Sequence, residues 1–320
     1  MPIKRYLSGL QPSGDLHLGN YFGAIRQHVA NQDDAFYFIA DYHALTTVRD
    51  PEALRRNIRD VAATYLALGI DPARSALFRQ SDVPEVTELM WLLMSVTGMG
   101  LLERAHSYKD KKAHGILPSV ALFAYPALMA ADILAYDTDV VPVGKDQVQH
   151  VEMTRDMAQH FNAFYGDVFK LPEFRLGTPE PVPGLDGQKM SKSYGNTIPI
   201  MARGKALKQL IMSIKTDSKP LEEPKNPDTC TVFAFYALFA DEAQREAMRA
   251  RYLGGNYGYG HAKLALLEIM NDRFGPARER YDHLLAHPDE VDDLLRQGAT
   301  RARTVAQGVL GRARRACGLD

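Results

Sequence analysis

A chain of 320 residues, 46% hydrophobic and 24% charged, has the length of one large or two ordinary domains and the balance of a globular protein. Its formal net charge of −1 excludes a generally basic protein, so a polyanionic partner has to be met by local patches. Cys230 and Cys317 form no Cys-x-x-Cys pair, the start at Met1-Pro2-Ile3-Lys4-Arg5-Tyr6 lacks a signal peptide's apolar run, and the most apolar stretch, 120–131, is too short to span a bilayer. The expectation is a cytoplasmic protein with no membrane partner.

Residues 3–7 suit a short buried strand, and Tyr21, Phe22, Ile25 and Val29 recur at helical spacing after Leu18-Gly19-Asn20. The polar turn between them carries Gly9 and Gly14. A strand, a glycine turn and a helix start bring unpaired N–H groups and the positive end of a helix dipole to one point. Such a point is either a nucleotide site or an ordinary strand–helix turn, and the spacing is neither Gly-x-Gly-x-x-Gly nor a Walker loop. Residues 36–40 form a continuous apolar run, read as a second parallel strand. Asp41-Tyr42-His43 follows at its carboxyl end, where open α/β sheets place ligands. Pro51 begins a helix with Leu54, Ile58, Val61, Tyr65 and Leu66 on one face, and residues 76–80 form a third strand. The alternation predicts an α/β fold with a Rossmann-like, doubly wound parallel sheet.

From Val83 to about Tyr136 the pattern turns helical, and Trp91 reads as a core or interface side chain. Arg104, His106, Lys109, Lys111, Lys112 and His114 then gather on a polar connection, either a solvated face or a phosphate contact. Tyr125, Met129 and Asp132 share one helix face, with the carboxylate inside an apolar surface. Asp132 therefore needs a partner: it is half of a structural ion pair, or it is a specificity acceptor in a pocket walled by Tyr125 and Met129. Residues 140–143 form a further strand, ending in Gly144-Lys145-Asp146-Gln147. The proline- and glycine-rich stretch 172–187 reads as a long irregular loop leading to Lys189-Met190-Ser191-Lys192-Ser193. Beyond Lys205 the chain is helical, over 207–214, 231–252, 261–285 and 291–317, with 254–260 as a helix connection. The last helix carries Arg296, Arg301, Arg303, Arg312, Arg314 and Arg315, a patch for RNA phosphates or a solvated amphipathic face.

Two of these stretches match signatures. Pro12-Ser13-Gly14-x-x-His17-Leu18-Gly19-Asn20 resembles the HIGH motif of class I aminoacyl-tRNA synthetases, with Asn20 in place of the final histidine, and Lys189 to Ser193 spells KMSKS without substitution. The flanks Ser8-Gly9-Leu10-Gln11-Pro12-Ser13-Gly14, Tyr125-Pro126…Met129-Ala130-Ala131-Asp132 and Val141-Pro142-Val143-Gly144…Asp146-Gln147 resemble the bacterial tryptophanyl-tRNA synthetases over nearly the whole chain. The related tyrosyl enzymes lack this Gln-Pro-Ser-Gly entry and this Met-Ala-Ala-Asp helix. A tyrosyl enzyme and a catalytically silent, synthetase-like RNA-binding protein are the rival readings.

The resemblance implies a Rossmann-like catalytic domain at 1–200 with a helical, dimer-forming insertion at about 83–136. It implies a helical anticodon-binding domain at 201–320 whose terminal helix can pack back on the core. It places ATP against Gln11, Pro12, Ser13, Gly19, Asn20, Gly144, Lys145, Asp146, Val182, Met190 and Ser191. His17, Asn20, Lys111, Lys189, Lys192 and Ser193 carry the catalytic roles at the phosphates. Tryptophan lies among Leu7, His43, Tyr125, Met129, Asp132, Val141, Val143 and Gln147. His17 stands where several bacterial members have threonine, Leu7 where an aromatic is common, and Lys145 where an acid is common. The implied partners are L-tryptophan, ATP, tRNA(Trp) and a second copy of the chain, with no DNA and no protein-held metal; Mg²⁺ is carried mainly by phosphates and water.

Overall fold

The computed structural model describes residues 4–12, 14–105, 119–177 and 182–319. Ser13, Lys111 and the rest of the basic run beyond Arg104 lie outside the described residues. The apolar runs of the sequence become strands of a single sheet. Tyr6–Leu10 (β1), Ala35–Ile39 (β2), Ala76–Arg79 (β3), Val140–Val143 (β4) and Glu173–Leu176 (β5) form one sheet in the order β3-β2-β1-β4-β5. All its pairings are parallel.

The pleat of β2 shows how the sheet is covered. Tyr37 and Ile39 enter an apolar cluster with the Pro51–Ala67 and Tyr259–Ala286 helices, while Phe36 and Phe38 enter a second one. That second cluster is built from the Glu85–Ser95, Val120–Leu134, Val148–Tyr165 and Pro288–Cys317 helices. Alternate residues therefore face opposite helical layers, which is what a doubly wound sheet requires. Both clusters draw on side chains beyond residue 200, so the C-terminal helices complete the core around the sheet.

The boundaries differ from expectation in three places. β1 occupies Tyr6–Leu10 rather than 3–7, because Gly9 is a strand residue paired with Phe38. A Cβ on Gly9 would lie 2.5 Å from the Phe38 ring, so only glycine lets the two strands run side by side there. β5 stands where an irregular loop was expected; it is exposed along its length and pairs only with β4, so burial left no apolar pattern to read. The expected 231–252 helix is broken at Asp241, whose carboxylate accepts from Gln244 N at 2.8 Å while Gln244 Oε1 accepts from Asp241 N at 3.0 Å. That reciprocal capping box starts a new helix.

The terminal helix does pack back on the sheet. Its Gly298 lies so close to β3 that a Cβ would sit 2.0 Å from the Leu77 carbonyl oxygen. Gly298→Ala is expected to destabilise the protein by at least about 1–3 kcal/mol, read as a lower denaturant midpoint, because backbone rather than a side chain has to give way. The arginines expected to meet RNA are largely engaged within the chain. Arg303 makes a bidentate pair with Glu85 (2.8–3.1 Å), Arg312 meets Asp137 at 2.6 Å and Arg314 pairs with Glu88. Arg301 donates to the carbonyls of Pro72 (2.7 Å) and Ser75 (3.2 Å), and Arg296 pairs with Asp293 one turn back. Trp91, expected in a core or an interface, is 70% exposed on this chain.

Candidate active site

β1 is followed by β2 on one side of it and flanked by β4 on the other, so the connections diverge at its carboxyl end and leave a crevice. A cavity of about 540 Å³ fills that position. All eight residues expected around the amino acid line it: Leu7 from β1, His43 after β2, Tyr125, Met129 and Asp132 from the Val120–Leu134 helix, Val141 and Val143 from β4, and Gln147. Gln11 and Gly144, expected at ATP, share its lining.

Asp132 is 1% exposed, and two partners hold it. His43 Nε2 lies 2.8 Å from Oδ2, and Gln80 Nε2 donates to both carboxylate oxygens at 2.8 Å. Burial pushes the Asp132 carboxyl above the usual range, and the hydrogen bonds from His43 and Gln80 pull against that. The two readings of this residue merge: it is internally paired and it lines the pocket. Tyr125 Oη bonds His150 Nε2 behind it. Leu7 leaves no gap in aromatic lining, because the Phe38 ring fills the space over Gly9 and borders the cavity.

The nucleotide half is stitched together from the two signatures. Leu18 N donates to Ile198 O and Ile200 N to Leu16 O, both at 3.0 Å, with His17 bridged to Pro199. Met190 N donates to Val182 O at 3.0 Å in a small hairpin, and Gly19 N lies 3.4 Å from the Met190 sulfur. Asn196, buried, accepts from Ser191 N at 2.8 Å and donates to Asp186 and to the Lys189 carbonyl. Backbone and amide bonds thus preset the loop while the Lys189, Lys192 and Ser193 side chains stay exposed.

Charge in this half comes from the lysines. Burial first, and the nearby Lys192 second, bring the His17 pKa down to about 4, so the imidazole is neutral at pH 7. Its Nδ1 is buried and makes no hydrogen bond among the described residues. The Asn20 side chain accepts from the His17 backbone N–H at 3.0 Å, which caps the helix start and leaves the amide NH₂ as its donor. Desolvation lowers the Lys192 pKa, against the pull of the Asp15 and Asp60 carboxylates. Asp60 is in turn hydrogen-bonded by Tyr281 Oη from the Tyr259–Ala286 helix. Pro12 O accepts from Asn57 at 3.2 Å, and Gly144, Lys145 and Asp146 lie exposed at the end of β4. These groups lie outside the cavity lining, apart from Gln11 and Gly144.

Gln80, Phe38, Asn196 and Asp60 escaped the sequence reading. Gln80 follows the apolar run of β3 at its carboxyl end, the position that drew attention to Asp41–His43 and Gly144–Gln147, so that signal was present.

A sheet wound 3-2-1-4-5, with a helix start at β1 tied to a lysine loop and an amino-acid-sized cavity between, defines a class I aminoacyl-tRNA synthetase core. The family model for class I tRNA synthetases (W and Y) matches residues 3–275, and the chain belongs to that family. The tryptophan–tRNA ligase of Rhodopirellula baltica is 54% identical over 318 residues, covering 98% of this chain and 99% of that protein. The crystal structure of Campylobacter jejuni tryptophanyl-tRNA synthetase complexed with ADP and tryptophan matches with a TM-score of 0.95 at 52% identity, covering 98% of this chain and all of that one. The Mycoplasma pneumoniae tryptophanyl-tRNA synthetase structure matches at 0.81 and 31% identity over 99% of this chain and 98% of that one. Within the family the chain stands with the bacterial tryptophanyl-tRNA synthetases.

Proposed function

We infer that the chain activates L-tryptophan with ATP, giving tryptophanyl-adenylate and pyrophosphate, and passes the tryptophanyl group to the 3′-terminal adenosine of tRNA(Trp). The observation that carries this reading is the buried, doubly bonded Asp132 carboxylate in the wall of an otherwise largely apolar cavity, beside the two stitched signatures. ATP–pyrophosphate exchange tests it. Tryptophan is expected to drive exchange and tyrosine not; exchange with neither would favour a silent RNA-binding protein.

In the first step the tryptophan carboxylate attacks the α-phosphorus, a C–O–P bond forms, and the bond to the bridging oxygen of pyrophosphate breaks. No side chain is covalently modified, so the protein contributes positioning and charge stabilisation. The helix start at Leu18, the neutral His17 and the Asn20 amide meet the phosphates, with Gln11, Pro12, Ser13 and Gly19 along the same wall. Lys189, Lys192 and Ser193 hold the departing pyrophosphate, joined by Lys111. Gly144, Lys145, Asp146, Val182, Met190 and Ser191 border the rest of the nucleotide. Leu7, Met129, Val141 and Val143 fit the apolar faces of indole, while His43, Tyr125, Asp132 and Gln147 supply polar groups. Mg²⁺ in this reading would be carried by the nucleotide phosphates and water. The ion would neutralise phosphate charge.

Residues 1–200 form the catalytic unit in this reading and 201–320 the helical unit that meets the anticodon. Trp91, Met99 and Val120, exposed apolar side chains on helices of the 83–136 stretch, support a homodimer formed through it. No helix among the described residues is long and apolar enough to cross a membrane. The buried thiol of Cys230 and the unpaired Cys317 support a reducing, cytoplasmic setting.

A further inference from the structure

Gln80 is 1% exposed and opens the 3₁₀ turn Gln80–Asp82 at the end of β3. Its amide is held from both ends. Tyr42 N donates to Oε1 at 3.1 Å, which turns the NH₂ toward Asp132, where it reaches both oxygens at 2.8 Å. Reversing the amide would set its carbonyl against a carboxylate and its NH₂ against the Tyr42 N–H. Tyr42 is itself placed by the Asp41 carboxylate, which accepts from Tyr42 N and Ser81 N at 3.0 Å each.

A carboxylate offers roughly four acceptor positions. Gln80 takes one on each oxygen of Asp132, and His43 takes a second on Oδ2. One acceptor position remains, on Oδ1, in a residue that lines the cavity.

We propose that Gln80 is a positioning residue for amino-acid selection, keeping Asp132 an ionised acceptor with Oδ1 reserved for a ring N–H of the substrate. This rests on the tryptophan reading above and extends it. Without the Gln80 amide, His43 alone is left to offset the burial that favours the neutral carboxyl, whose O–H would point a donor at a donor. The apolar fit of the ring would survive, but the penalty against a ring lacking N–H would not.

The test compares L-tryptophan with β-(3-benzothienyl)-L-alanine, in which sulfur replaces the ring N–H. Equilibrium binding of each and the KM for ATP are measured on the whole protein, as wild type, Gln80→Met and Gln80→Glu. Gln80→Met removes both amide functions at similar length. Gln80→Glu still accepts from the Tyr42 N–H and keeps the test available if the first variant does not fold. The expected result is a preference for tryptophan in the wild type that falls about tenfold to a hundredfold in both variants, with the KM for ATP unchanged. Equal weakening of both amino acids would mean that Gln80 only packs the site, and overturns the proposal. A wild type with no preference would instead overturn the parent reading, that Asp132 accepts a ring N–H.

Discussion

Lys192→Ala is expected to slow adenylate formation by about 10²–10³-fold while leaving tryptophan affinity nearly unchanged, because its ammonium stabilises charge that develops on the departing pyrophosphate. Before ATP arrives, the Lys192 side chain lies by the glycine turn, where a Cβ on Gly14 would be 3.8 Å from Nζ, and within the fields of Asp15 and Asp60. In the proposed reaction it exchanges these two carboxylates for phosphate oxygens, and its contribution is the difference between those settings. With His17 neutral, no imidazolium beside it can substitute for the lost charge. Pyrophosphate exchange and a tryptophan titration on the same preparation check both halves, and unchanged exchange would remove Lys192 from the phosphate role.

Asp132→Ala should weaken tryptophan binding by about 10–150-fold, the span expected for losing a hydrogen bond to a charged group, with the KM for ATP little changed. The variant should also lose stability, since it strands the buried Gln80 amide and leaves His43 without its acceptor, at about 1–3 kcal/mol per buried group. Calorimetric binding and a denaturant melt separate the two effects. Equal losses for tryptophan and ATP would indicate a collapsed site instead of a missing acceptor.

The parts of this molecule legible in the sequence were those whose physics is local. β2 is buried on both faces, so its apolar run stood out, and the Pro51–Ala67 helix announced itself through periodicity with Asp50 capping Glu52 N. Within the cavity lining, Tyr125, Met129 and Asp132 were readable together because they lie on one helix face, while Leu7, Val141 and Val143 were placed there by the resemblance. Gln80 was marked by its place at the carboxyl end of β3, but its partner is a carboxylate 52 residues away, which no strand ending names. Phe38 was read only as core, since its place in the pocket depends on a glycine in the neighbouring strand. The terminal arginines are another case of distant partners. Composition showed a basic helix, but Glu85, Glu88 and Asp137, far earlier in the chain, receive three of its charges. Asn20, which departs from the signature, serves the helix start by accepting from the His17 N–H.

The seat of Gly298 on Leu77 bears on how the chain is made. β3 is an edge strand, and the helix laid against it is synthesised long after it. Until that helix is made, the outer edge of β3, with the Leu77 backbone beneath Gly298, lacks this cover and is an open strand edge prone to wrong pairing. A chain stopped before Pro288–Cys317 would therefore lack that cover, and should aggregate or be degraded before it could activate anything.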